Sequence, residues 1–153
     1  MFNSILIIFL AASLFTGTPG ELPRPATTIS TGTQENDLWK VLFGVKYGDW
    51  RSVYKPQFNE QIKALDGKKI TIRGFLIPLE EKPRHSFFLL SAYPFDACFY
   101  CGKAGPETVI EVTCKTPLKD TKTPITITGT LKLNYSSPEH LFYIIKDGEV
   151  VKN

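Results

Sequence analysis

Lys69-Ile70-Thr71-Ile72-Arg73-Gly74-Phe75-Leu76-Ile77 and Ile125-Thr126-Ile127-Thr128-Gly129-Thr130-Leu131-Lys132-Leu133 decide the fold. Both begin with the apolar–polar alternation that lays one face of a strand on a core. Both carry one central glycine, which in a strand pattern marks a bulge or a sharp bend. Around them, Ser86–Ser91, Thr108–Cys114 and Leu141–Ile145 read as three more strands. Asp147-Gly148 then reads as a turn into a short return, Glu149–Val151. One short helix is predicted over Asn59–Leu65, where Phe58, Ile62 and Leu65 fall at helical spacing and Asp66-Gly67 stops the pattern. Short strands bent at glycine predict a mainly β chain, a small OB-like five-stranded barrel with one helix. A β-sandwich is the alternative, reached by dividing the N-terminal part into additional strands.

The N-terminal side of this unit has a different character. Ile5-Leu6-Ile7-Ile8-Phe9-Leu10-Ala11-Ala12-Ser13-Leu14-Phe15 is an apolar run within twenty residues that contain no Lys, Arg, Asp or Glu. Small and turn-forming residues follow it, so residues 1–20 read as a signal peptide. The run falls short of the roughly 20 apolar residues that a spanning helix needs. Residues 21–36, rich in Pro, Thr and Gly and without periodicity, read as a flexible linker. The single folded domain is expected over residues 37–153, beginning where Leu38, Trp39, Val41, Leu42 and Val45 raise the apolar density. The product is expected in the periplasm or secreted, and not integral to the membrane once the signal is cleaved.

Composition narrows function without naming one. Of 153 residues, 42% are hydrophobic and 22% charged, which excludes bulk disorder and a multi-span membrane protein. Eighteen Lys and Arg against 15 Asp and Glu leave +3, too small and dispersed a charge for a nucleic-acid partner. No GxSxG, Walker loop, dinucleotide fingerprint, HExxH or haem-attachment CxxCH is present. Asn134-Tyr135-Ser136 matches a glycosylation tripeptide, a pattern too common to carry weight.

The chemical lead is Cys98-Phe99-Tyr100-Cys101-Gly102. Two cysteines three positions apart can bring their sulfurs to about 3.5–4 Å, the edge of a tetrahedron around a metal ion. The glycine after them permits a left-handed backbone there. The same spacing serves a redox dithiol, but Gly102, Gly105 and Pro106 disfavour the helix that would activate the first thiol. A structural disulfide is the third reading, and one closing so short a loop stabilises weakly. A metal site needs more than two ligands, and Glu111 and His85 are the candidates to complete it. Each also has a plain reading: Glu111 as a solvated position on the outer face of a strand, His85 as part of the charged turn Glu80–His85. His140, which opens the last strand, reads as unremarkable in the same way. Cys114 shares a face with Ile110 and Val112 and is expected in the barrel core. The aromatic residues read mainly as core rather than as a stacking platform for nucleic acid.

Several separated segments in fixed order resemble a family of exported bacterial proteins of unknown function. They are Leu65–Leu79, Phe88–Pro94, Cys98-Phe-Tyr-Cys-Gly102 and Gly105-Pro-Glu-Thr-Val-Ile-Glu-Val112, and the resemblance spans residues 38 to 146. It implies a periplasmic or secreted OB-like barrel, often encoded near transport or metal-homeostasis components. The expected function is therefore an exported, non-enzymatic metal-binding protein with Cys98, Cys101, Glu111 and His85 as ligand candidates. Zn²⁺ is the first ion and Cu(I) the second, since soft thiolates suit both. An envelope transport component is the expected partner. A thiol–disulfide protein and an envelope interaction module with a structural disulfide are the alternatives.

Overall fold

Gly74 and Gly129 sit where two pieces of backbone approach too closely for a side chain. A Cβ on Gly74 would lie 2.6 Å from the Ser91 carbonyl oxygen, and one on Gly129 would lie 2.5 Å from Ile145 Cγ2. They bend β1 (Lys69–Pro78) and β4 (Ile125–Leu133), and with β2 (His85–Ser91), β3 (Val109–Leu118) and β5 (Tyr143–Val150) these close a barrel. The computed structural model describes residues 35–48 and 55–151. The predicted signal peptide and all but the last two residues of the predicted linker lie outside them. The strand order is β1-β2-β3-β5-β4, and closure, by β4 pairing with β1, excludes the sandwich. Every pairing is antiparallel except β3 with β5.

The strand interiors follow the predicted alternation. Ile70, Ile72 and Leu76 of β1 meet Phe88 and Leu90 of β2, Ile110, Val112 and Cys114 of β3, and Ile127 and Leu131 of β4 in one buried cluster. Each such side chain contributes on the order of 1.5–3 kcal/mol by leaving water. Asp147-Gly148 departs from expectation. It is a bulge inside β5, not a turn: Thr128 pairs with Glu149 and Thr130 with Lys146, so Gly129 faces two residues. Asp147 takes φ 54°, a left-handed conformation that Asp tolerates better than most residues. Parallel pairing with β3 reaches Gly148 and holds the strand together through the bulge.

Two short helices accompany the barrel. The predicted one forms as α2 (Glu60–Lys63), capped by Asn59 Oδ1 accepting the Ile62 N–H at 2.9 Å. The other, α1 (Glu35–Leu42), is not apparent in the sequence pattern, because tertiary contacts define it. Trp39 Nε1 donates to the Arg73 carbonyl at 2.7 Å, and the buried Tyr143 hydroxyl donates to the Leu42 carbonyl at 2.6 Å. Trp39, Leu42 and Val45 join the main core, as their apolar density predicted. Among the described residues, no helix is long and apolar enough to cross a membrane.

Candidate functional site

Sheet register places the cysteine loop. Leu76, Leu90 and Ile110 lie side by side facing inward, so their neighbours Ile77, Leu89 and Glu111 form a row on the outer face. The segment between β2 and β3 folds back over this row in two 3₁₀ turns, Phe95–Ala97 and Phe99–Cys101. Cys98 joins them and, fully buried, packs against Ile77 and Leu89, with Leu141 at the margin. This small cluster is separate from the main core and holds the loop to the barrel.

Cys101 returns to Cys98 within one turn. Its N–H donates to the Cys98 carbonyl at 3.1 Å, and Gly102 ends the turn at φ 70°. Cys101 Sγ donates to the Phe95 carbonyl at 2.7 Å. Cys101 is exposed, and all three cysteines are free thiols. Desolvation in the turn pushes the Cys101 thiol up, as do the adjacent Cys98 and Asp96, against a downward pull from Lys103. A three-residue 3₁₀ turn offers no helix dipole to counter this, in line with the predicted absence of a helix after Cys101. The arrangement is a pair of free thiols on one turn, one sealed and one open to solvent.

Glu111 and His85 are not part of that pair. Among the described residues, no three of His, Cys, Asp and Glu gather where they could share a metal ion. Glu111 lies on the outer face but is 5% exposed, not solvated. Its Oε1 accepts the Leu141 N–H at 2.5 Å, and its Oε2 lies 2.8 Å from His140 Nδ1. The loop presenting His140 is built on buried Asn134, whose Nδ2 donates to the Ser137 and His140 carbonyls at 2.8 Å each. Asn134 Oδ1 accepts the Ser137 N–H at 2.9 Å. His85 is buried too, as the first residue of β2, with Nε2 2.7 Å from Asp120 Oδ1. That contact lacks the geometry of a hydrogen bond. Arg84 beside it clamps the Pro117 carbonyl with Nε and Nη2 at 3.1 and 2.6 Å.

The strand pattern around Glu111 showed only that an acid among Val and Ile invites a partner. It held nothing to select His140, 29 residues away. A second acid, Glu107, which the sequence offers only as a further ligand candidate, has a partner that no local pattern marks. Glu107 Oε2 accepts the Tyr47 hydroxyl at 2.5 Å, and burial first, then this carboxylate, pushes the tyrosine above its usual range. The pair ties the chain after α1 to the start of β3. Its only sequence trace is the Gly105-Pro106-Glu107 segment.

The sequence profile of the family described as "Protein of unknown function (DUF3299)" matches residues 46–147. The chain belongs to the DUF3299 family. A crystal structure of a DUF3299 family protein from Pseudomonas aeruginosa PAO1, at 2.45 Å resolution, is similar at 23% identity and a TM-score of 0.48. The alignment covers 89% of this chain and 91% of that one. No curated protein matches the chain. Like the family that the Leu65–Val112 motifs resemble, DUF3299 is a family of unknown function, and membership brings no activity with it.

Proposed function

We propose that this DUF3299 member is an exported, non-enzymatic protein that binds a thiophilic metal ion between Cys98 and Cys101. The observation that carries the reading is the single turn that brings Cys101 back to Cys98, closed by the Cys101 N–H on the Cys98 carbonyl at 3.1 Å. Deprotonated, they would form a two-sulfur clamp, with Cys98 anchored in an apolar seat and Cys101 open to an incoming ion. Soft thiolates select Cu(I) and Zn²⁺. A clamp of two sulfurs satisfies Cu(I) most fully, whereas Zn²⁺ would draw further ligands from water or from a partner. The apolar run Ile5–Phe15 supports a periplasmic or secreted location. Exposed Phe95 and Tyr100 border the clamp and give an envelope transport component a surface from which to take or deliver the ion.

Metal stoichiometry tests this. The reduced protein loaded with Zn²⁺, or with Cu(I) under anaerobic conditions, is expected to retain about one ion per chain after desalting. Cys98→Ser and Cys101→Ser are each expected to retain none. A wild-type protein that holds neither ion under any loading condition overturns the reading.

A further inference from the structure

The two cysteines of the clamp differ in a way that sets an order of reaction. Cys98 has no exposed surface and is sandwiched between its own loop and Ile77 and Leu89, so an external reagent cannot reach its sulfur without unfolding the loop. Cys101 is exposed, its sulfur donates to the Phe95 carbonyl, and its backbone N–H closes the turn on the Cys98 carbonyl at 3.1 Å. Cys114 is remote in kind, facing inward from β3 in the main core at 5% exposure. A sulfur that joins Cys101 is therefore delivered next to a second, shielded thiol within the same turn.

We propose that the clamp is closed by low-molecular-weight disulfides in a fixed order, with Cys101 attacking first and Cys98 resolving. The Cys101 thiol gives its proton to solvent and attacks one sulfur of a disulfide such as glutathione disulfide. The Cys101–glutathione bond forms, the glutathione S–S bond breaks, and one glutathione leaves. Cys98 then loses its proton and attacks the Cys101 sulfur, expelling the second glutathione and forming the Cys98–Cys101 disulfide. Two protein thiols are oxidised and one glutathione disulfide is reduced to two glutathione thiols, so protons and electrons balance. The order is the reverse of a dithiol whose exposed first cysteine starts a helix, because here the first cysteine is the one packed beneath the loop. Closure also withdraws both thiolates from a metal ion, a consequence that rests on the metal-binding reading above. Reduction by excess thiol reopens the clamp through the same exposed sulfur.

The test uses the reduced protein, glutathione disulfide as the probe, acid quenching at timed intervals and mass mapping of each cysteine. In the wild type, the early adduct is expected on Cys101, giving way to an internal disulfide with no glutathione attached. Cys98→Ala is expected to accumulate a stable adduct on Cys101, and Cys101→Ala to leave Cys98 and Cys114 at least 10-fold slower to modify than wild-type Cys101. The early wild-type adduct is mapped without any substitution, so the order stays testable if a variant misfolds. A first adduct on Cys98, or a Cys101 adduct that persists in the wild type, overturns the proposal. Zn²⁺ uptake before and after oxidation separates the two readings. If oxidised protein keeps its Zn²⁺ capacity, the gating is wrong. If reduced protein takes up no metal ion, the metal-binding reading fails while the order of attack stands on the adduct map.

Discussion

Replacing Glu111 with Ala should be among the more damaging single changes outside the main core. The carboxylate is 5% exposed on the outer face of β3, and its two oxygens hold the Leu141 N–H at 2.5 Å and His140 Nδ1 at 2.8 Å. Hydrogen bonds to a charged acceptor are worth about 1.5–3 kcal/mol each, and an orphaned buried donor costs about 1–3 kcal/mol. Removing the acid also removes the cost of keeping a carboxylate out of water, which offsets part of that loss. The net expectation for Glu111→Ala is destabilisation of about 2–4 kcal/mol. His140→Ala should cost less, about 1 kcal/mol, because the imidazole is 47% exposed and Leu141 still satisfies one oxygen. Glu111→Gln keeps the shape, and its amide oxygen can still accept from Leu141, so it should fall between the wild type and Ala. Urea unfolding followed by circular dichroism measures all three, and the double variant gives the coupling between the two side chains. Glu111→Ala within 0.5 kcal/mol of wild type, a change of the size expected at an unremarkable surface site, would refute the claim that this acid organises the 134–141 loop.

Three further outcomes follow from the same geometry. A bulky maleimide, which Cys98 cannot displace from Cys101, should label one thiol per native chain and three after denaturation, since Cys98 and Cys114 are buried and only Cys101 is exposed. Burial pushes the Cys114 thiol up from 9.0 to about 11, so the native state holds that proton where the unfolded chain has released it. Stability is then full below pH 9 and falls as the pH climbs toward 11, and Cys114→Ala should flatten this part of a urea-midpoint-against-pH curve. Gly129→Ala should destabilise by about 1–3 kcal/mol through overpacking, because its Cβ would meet Ile145 Cγ2 at 2.5 Å and the Lys146 carbonyl at 2.8 Å. An unchanged thermal midpoint in that variant would show that the barrel can open at the bulge without cost.

The features that the sequence alone determined are those set by neighbours within a few residues. Short apolar and alternating runs located the five strands, period two turned Ile110, Val112 and Cys114 inward, and the central glycines marked the bends of β1 and β4. Spacing of three brought Cys98 and Cys101 together, because a single turn suffices to do so. What tertiary structure alone decided joins distant parts of the chain. Glu111 meets His140 across 29 residues and Tyr47 meets Glu107 across 60, pairings that no local pattern encodes. On the outer face of β3, Glu111 is buried instead of solvated because the loop carrying His140 and Leu141 folds over it. Parallel pairing with β3 made Asp147-Gly148 a bulge where its local chemistry reads as a turn. Local sequence sets backbone period and bend, but the burial of a charge depends on which segment the closed barrel brings to lie across it.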